Sequence, residues 1–377
     1  MSKAPKLNTE AKFQPNMKCA HELILMAKNG QKGNHTGERY ALPAFNVTTY
    51  QGIDAACEAF DRLGSSGVLA FSQSALKHFG YSDPLKGLER VNQYVAMIAK
   101  DLRVPIATHL DHGDYISDKG KKTVEGAVEM LTSVMADNST NHALQKATEL
   151  AENIEATRAV VDMAHPKGVS VEGELGVLAG VEDEDTQSEF STYTDPVELK
   201  QFLEQTGVLL LAPTIGTQHG PNKGKPGEVV KLHIELAHEL LEIADAIDPQ
   251  IVFVAHGAST LYSEVVNTAT NQLKEMGVLS EAVQTWNNFV GTDWNQISSL
   301  VEAGFCKVNT DTENRQTYLA SLIKAVKENP SKVDIRYFEK QTYQALLNSY
   351  LQKLILANNY GVWGEPKINP NEFTFNL

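Results

Sequence analysis

V-P-I-A-T-H-L-D-H-G, Val104–Gly113, is the stretch that decides the fold. A short apolar run stops at Asp111 and His112, and a glycine opens the turn that follows. The pattern recurs. L-L-L-A-P-T-I-G-T-Q-H-G (Leu209–Gly220) stops at His219, and I-V-F-V-A-H-G-A-S (Ile251–Ser259) stops at His256. A further run, G-V-S-V-E-G-E-L-G (Gly168–Gly176), carries Glu172 and Glu174 on one strand face. Imidazole is the commonest metal ligand, and three protein ligands with an open position make a catalytic zinc site. Ligands so far apart in sequence meet only if the fold gathers strand ends in one place. A (β/α)₈ barrel does so, because its site lies at the C-terminal ends of its strands.

Working outward, eight short runs read as strands: Leu42–Asn46, Gly67–Ser72, Val104–Asp111, Ser133–Asp137, Val169–Glu174, Val208–Ile215, Ile251–His256 and Phe305–Asn309. Most are largely apolar and often β-branched, as expected of parallel strands covered on both faces. Helix signals lie between them. Asp83-Pro84 opens Leu85–Asp101, and Asp195-Pro196-Val197-Glu198 opens Val197–Gln205. Apolar residues at helical spacing mark Cys19–Lys28, Glu152–His165, Glu228–Ala246 and Ser263–Met276. Strands alternating with helices imply parallel βαβ units, and eight of them favour a closed TIM barrel over an open sheet.

The expected architecture is therefore one α/β barrel domain over residues 1–377. Residues 1–40 form a leading helix and loop, and residues 336–377 a long helix and tail. Two segments break the rhythm. The acidic stretch 178–194 reads as a mobile loop over the end of the fifth strand. Residues 277–292 read as an insertion before the eighth strand.

Composition bounds the partners. The 377 residues carry a formal charge of −14, which argues against broad binding to nucleic acid or anionic membranes. Cys19, Cys57 and Cys306 are odd in number and widely spaced, which fits reduced thiols and a cytoplasmic location. The opening M-S-K-A-P-K-L-N lacks the apolar core of a signal peptide.

Polar residues at every strand end mark the candidate site: Asn46, Ser72, Asp111, His112, Asp137, Glu172, Glu174, His219, His256 and Asn309. His109 reads as a structural histidine packed below the site. Lys307 is the one lysine within a strand, and hence the one Schiff-base candidate. It lies deeper than Asn309 on the same face and reads as structural or phosphate-orienting.

These residues resemble the class II, metal-dependent fructose-bisphosphate aldolases from about Leu42 to Arg336. The matching pieces are P-A-F-N (Pro43–Asn46), H-L-D-H (His109–His112), V-M-A-D-N-S (Val134–Ser139) and E-x-E-L-G-x-x-x-G-x-E-D (Glu172–Asp183). They continue with Y-T-D-P (Tyr193–Pro196), I-G-T-Q-H-G (Ile215–Gly220), H-G-A-S (His256–Ser259) and K-V-N-T-D-T (Lys307–Thr312). The resemblance implies a zinc ion on His112, His219 and His256. It places Asp137 and Glu174 at a second divalent or monovalent cation, or in support of the first. It implies Asp111 as acid/base on the substrate's carbon-4 hydroxyl and Glu182 as the residue that exchanges the carbon-3 proton. Asn46, Gly220, Gly257, Ala258, Ser259, Asn309, Asp311 and Thr312 match substrate-binding positions. Ser72 and Arg336 match positions near the second phosphate, with Arg336 reaching from a neighbouring subunit of a homodimer or homotetramer.

The implied activity is reversible cleavage of fructose 1,6-bisphosphate in glycolysis and gluconeogenesis, with tagatose 1,6-bisphosphate or another ketose phosphate as the alternative substrate. A metal-dependent barrel hydrolase wants H-x-H on the first strand, where this chain has Ala44 and Asn46. A barrel that merely binds metal has no need of both Asp111 and Glu182. The family's H-G-G-S-G reads H-G-A-S-T here, with Ala258 and Thr260 for glycines. Its paired glycine before the acid reads Ala179-Gly180, and Asn138 replaces another glycine. Such turns bring backbone N–H groups close to phosphate, so this is where the chain's pocket departs from the pattern.

Overall fold

Eight parallel strands close into a barrel in strict chain order. They are β1 (Leu42–Asn46), β2 (Val68–Phe71), β3 (Ala107–Gly113), β4 (Ser133–Ala136), β5 (Ser170–Leu175), β6 (Leu210–Pro213), β7 (Val252–Ala255) and β8 (Phe305–Thr310). β8 pairs back onto β1 with Asn309 opposite Ala44, which completes the ring. The computed structural model describes residues 3–32, 35–36, 39–141, 146–177, 180–183, 186–188, 192–218, 223, 231–277 and 280–377. All eight runs read as strands from the sequence form the barrel, with ends shifted by a few residues.

Alternation along the strands builds two apolar layers. Leu69, Phe71, Leu110, Val134, Val171, Leu211 and Phe253 join the outer core against the helices. Leu42, Ala44, Val68, Ala70, Ala107, Ala212 and Val254 join an inner cluster that includes the first helix, α1 (Ala20–Lys28), through Ala20, Leu23, Ile24 and Ala27. Burying Leu23 and Ile24 contributes roughly 1.5–3 kcal/mol each.

The outer layer comprises α2 (Tyr50–Leu63), α3 (Gln73–Phe79), α4 (Pro84–Ala99), α5 (Asp118–Met130), α6 (Leu150–Ala164), α7 (Pro196–Thr206), α8 (Ile234–Ile247), α9 (Ser263–Glu275), α10 (Ser280–Asn287), α11 (Trp294–Ala303), α12 (Thr312–Glu328) and α13 (Ile335–Leu356). The two Asp-Pro signals act as read. Asp83 Oδ1 accepts from Leu85 N at 3.0 Å, and Asp195 Oδ1 from Val197 N at 2.8 Å.

Two expectations are revised and a third gains detail. The helix read from Glu228 begins at Ile234, with His233 accepting from Leu236 N at its start. Residues 228–230 lie outside the described set. The segment read as an insertion at 277–292 holds α10, and a further helix, α11, follows it. α11 is the one that packs on α8 and β8, burying Ile297 and Leu300 in the main core. α9 sits instead on α12, with Val265 and Ala269 in a separate small cluster. The excursion from barrel order is thus α9–α10. Within the acidic stretch read as a loop over the end of the fifth strand, an antiparallel ribbon pairs Gly180–Asp183 with Thr186–Ser188. No helix among the described residues is long and apolar enough to cross a membrane.

Candidate active site

The C-terminal rim is shaped first by a defect in β3. Leu110 pairs with Val134 and Gly113 with Ala136, so three steps on one strand face two on the other. The extra residue is a β-bulge at Asp111–His112, and His112 takes φ 50°. Ordinary alternation would send these side chains to opposite faces. A bulge re-aims a side chain, and here both join one cluster with His256.

Within that cluster His112 Nε2 and His256 Nδ1 face each other at 3.0 Å. The ring centroids are 4.8 Å apart and the planes cross at 77°. The far nitrogen of each ring meets a carboxylate: His112 Nδ1 lies 2.7 Å from Asp137 Oδ2, and His256 Nε2 lies 2.8 Å from Glu172 Oε1. A carboxylate only accepts, so the Asp137 contact assigns the N–H of His112 to Nδ1, while His256 Nε2 also lies 3.1 Å from Asn309 Nδ2. Burial, then the neighbouring charge of His112, holds His256 well below the usual imidazole range. The donor set of two imidazoles and neighbouring carboxylates fits a divalent transition metal.

Glu174 lies beside the pair, with Oε2 4.0 Å from His112 Nδ1 and 4.0 Å from His256 Nδ1. Its Oε1 accepts from Ser139 Oγ at 3.4 Å, and the same hydroxyl donates to Asp137 at 2.8 Å. His112, Asp137 and Glu174 form a second grouping able to hold a cation.

Beneath lies a buried charged layer. Lys307 Nζ donates to Glu172 Oε2 at 2.8 Å, and both side chains are wholly buried. His109 is also wholly buried, bonded through Nδ1 to Ser133 Oγ at 2.9 Å. Burial first, then the charge of Lys307, keeps its pKa well below the usual imidazole value. Glu172 therefore spans from Lys307 to His256 and orients the imidazole above it.

Asp111 faces the same space. Asn46 Nδ2 donates to its Oδ2 at 2.6 Å and Asn309 Nδ2 to its Oδ1 at 3.0 Å. Burial pushes its pKa up, but His112, His256, Lys307 and the Asn46 hydrogen bond outweigh this and hold the carboxyl below its ordinary range. An ionised, oriented carboxylate beside a cation site can take a proton from a hydroxyl.

A small cleft joins Asp111 and His256 to Gly257, Ser259, Asn309, Asp311 and Thr312. Gly257 has φ +64°, and a Cβ there would come within 2.5 Å of Gln218 O, so only glycine fits. Ala258, by contrast, is accommodated fully buried. Ser259 Oγ accepts from Asp311 N at 3.1 Å, joining the turns after β7 and β8. Ser72 lies just past β2, where its hydroxyl caps α3 by accepting from Ala75 N.

Not every expected residue is brought in. Arg336 sits exposed at the start of α13, its guanidinium 2.9 Å from Asp334 of the same turn. His219 and Gly220 lie outside the described residues. Glu182 is in the ribbon strand Gly180–Asp183, and its side chain is outside the description.

Lys223 was missed by the sequence reading. It is fully buried in the cleft and donates to Gly257 O, with Ser259 O at 3.4 Å. Burial pushes its ammonium down to about 7. One lysine in a Gly/Pro-rich stretch carries no periodic signal by which to find it.

The family model "fructose-bisphosphate aldolase class-II" matches residues 34–361. A fructose-bisphosphate aldolase of Thermus caldophilus is 32% identical over 325 residues, covering 86% of this chain and 95% of that protein. One of Giardia intestinalis is 32% identical over 337 residues, covering 89% and 94%. The crystal structure of fructose-bisphosphate aldolase from Campylobacter jejuni shares the fold, with a TM-score of 0.64 at 19% identity and coverage of 86% and 91%. A closed barrel with paired imidazoles at its rim, matched along nearly its whole length, places this chain in the class II fructose-bisphosphate aldolase family, as an aldolase of the carbon–carbon lyase type.

Proposed function

We propose that this aldolase cleaves fructose 1,6-bisphosphate reversibly to dihydroxyacetone phosphate and glyceraldehyde 3-phosphate, using zinc. The observation that carries the reading is the facing pair His112 Nε2 and His256 Nδ1, each backed by a carboxylate, with Asp111 alongside. His112 and His256, with His219, would hold the ion. Asp137 and Glu174 would support it or hold a second cation. The chemistry zinc supplies when bound is Lewis-acid stabilisation of negative charge on the three-carbon half.

The chain's own groups do the rest. Asp111 takes the proton of the carbon-4 hydroxyl as the carbon-3 to carbon-4 bond breaks. The bonding pair stays on the three-carbon half, and Glu182 delivers a proton to carbon-3. An acid carried on a ribbon over the rim can exclude water during this step. The turn Gly257–Ser259, with Gly220, Asn309, Asp311 and Thr312, would hold the first phosphate. Thr312 opens α12, and helix N-termini favour phosphate. Ser72, with Arg336 of a second subunit, would hold the other phosphate. A cytoplasmic homodimer or homotetramer serving glycolysis and gluconeogenesis fits this reading.

A coupled assay of triose phosphate release from fructose and tagatose bisphosphates, with and without chelator, tests it. The expected result is chelator-sensitive cleavage of the fructose substrate. Cleavage that survives complete metal removal overturns the mechanism, and a preference for tagatose bisphosphate overturns the substrate.

A further inference from the structure

We propose that Glu313 and Lys353 are positioning residues that hold the Gly257–Thr260 turn in shape to grip a phosphate group, which rests on the phosphate role given to that turn above. Glu313 lies in the first turn of α12, behind the cleft, and is 1% exposed. Its Oε2 accepts from Thr260 N at 2.8 Å. The same oxygen lies 3.0 Å from Nζ of Lys353, which α13 presents fully buried. The ammonium also lies 4.8 Å from the ring centroid of Trp294 at the start of α11. A desolvated cation over an indole face is held firmly.

The carbonyls of the same turn are engaged by the opposite charge, since Lys223 donates to Gly257 O and to Ser259 O. One amide meets a buried anion and two carbonyls meet a buried cation. That leaves a four-residue turn little freedom. Thr260 stands where the family pattern has glycine, and its β-branch narrows the backbone choices further.

Stability alone does not call for the pair. Taking two charges out of water is expensive, and an apolar pair of equal volume often serves as well. Directing the Thr260 N–H does require an acceptor at this point.

The test is the double variant Glu313→Met/Lys353→Met in the full-length, metal-loaded enzyme. It removes both charges and the acceptor while preserving volume. Metal content is expected to stay the same and kcat to stay within about threefold. KM for the ketose bisphosphate and the inhibition constant of inorganic phosphate are expected to rise about tenfold, the signature of lost uniform binding. Unchanged values of both in the folded variant overturn the proposal. If inorganic phosphate fails to inhibit the unaltered enzyme, the phosphate reading of the turn falls instead. Amide exchange over 257–262 in the unaltered enzyme needs no variant to fold. The Thr260 amide should exchange slowly before phosphate is added, and fast exchange that slows only with phosphate overturns the proposal.

Discussion

His112 Nε2 and His256 Nδ1 meet at 3.0 Å although 144 positions separate the residues. Neither ring is placed by its own strand alone. Asp137 of the neighbouring β4 rim steers one and Glu172 of β5 steers the other. Glu172 is in turn set by Lys307 of β8.

Removing one ring should empty the site. His256→Ala is expected to lose bound metal, measured by elemental analysis, and to lower kcat at least about a thousandfold. A variant that keeps stoichiometric metal and full turnover would remove His256 from the ligand set.

The carboxylate behind His112 should tune affinity without abolishing binding. Asp137→Asn is expected to weaken metal binding about 10–100-fold in competition with a chromogenic chelator. Undiminished affinity would assign Asp137 no supporting role.

Two proton-transfer roles separate cleanly. Asp111→Asn should retain metal and lose about 10²–10⁴-fold in cleavage rate. Glu182→Gln should retain metal and lose exchange of the carbon-3 proton of dihydroxyacetone phosphate, followed by NMR in heavy water. Normal exchange in the second variant rejects the role given to Glu182.

Lys307 should form no Schiff base, because it is wholly buried and paired with Glu172. Borohydride with dihydroxyacetone phosphate is expected to leave activity and mass unchanged. Lys307→Met strands the carboxylate of Glu172 and should lower stability by about 3–5 kcal/mol in denaturant unfolding. A reduced adduct at Lys307 would reverse this assignment.

At the barrel floor, His21 and His165 predict acid sensitivity. Their ring nitrogens bond Gln250 O at 2.8 Å and Pro5 O at 3.0 Å. Burial lowers both pKa values below 6.5. Between the folded and unfolded pKa values the unfolded chain binds more protons, so their contribution is present above pH 6.5 and is lost as pH falls below it. The melting temperature should drop from pH 7.5 to 5.5, and His21→Gln/His165→Gln should flatten that drop. An identical slope in the variant assigns the acid loss to other groups.

Much of this was legible because barrel strands announce themselves. Apolar runs at Leu42, Val104 and Ile251 end in polar groups, and the ring's closure leaves those ends nowhere to go but one rim. What escaped the reading lacked periodicity. α11 is a ten-residue helix behind Asp293, whose apolar stripe is too short to separate from the loop before it. The bulge at Asp111–His112 depends on pairing with β4, which no residue of β3 encodes alone.

The sequence by itself determined the barrel order, the residue types at the rim and the family pattern, since strand and helix periodicities and local turn chemistry are properties of neighbouring residues. Only the tertiary structure decided that Glu172 orients His256, that Lys307 pairs with Glu172, and that Lys223, Glu313 and Lys353 surround the turn after β7. Those contacts join elements far apart in the chain, and buried charges find partners through closure of the ring and not through spacing.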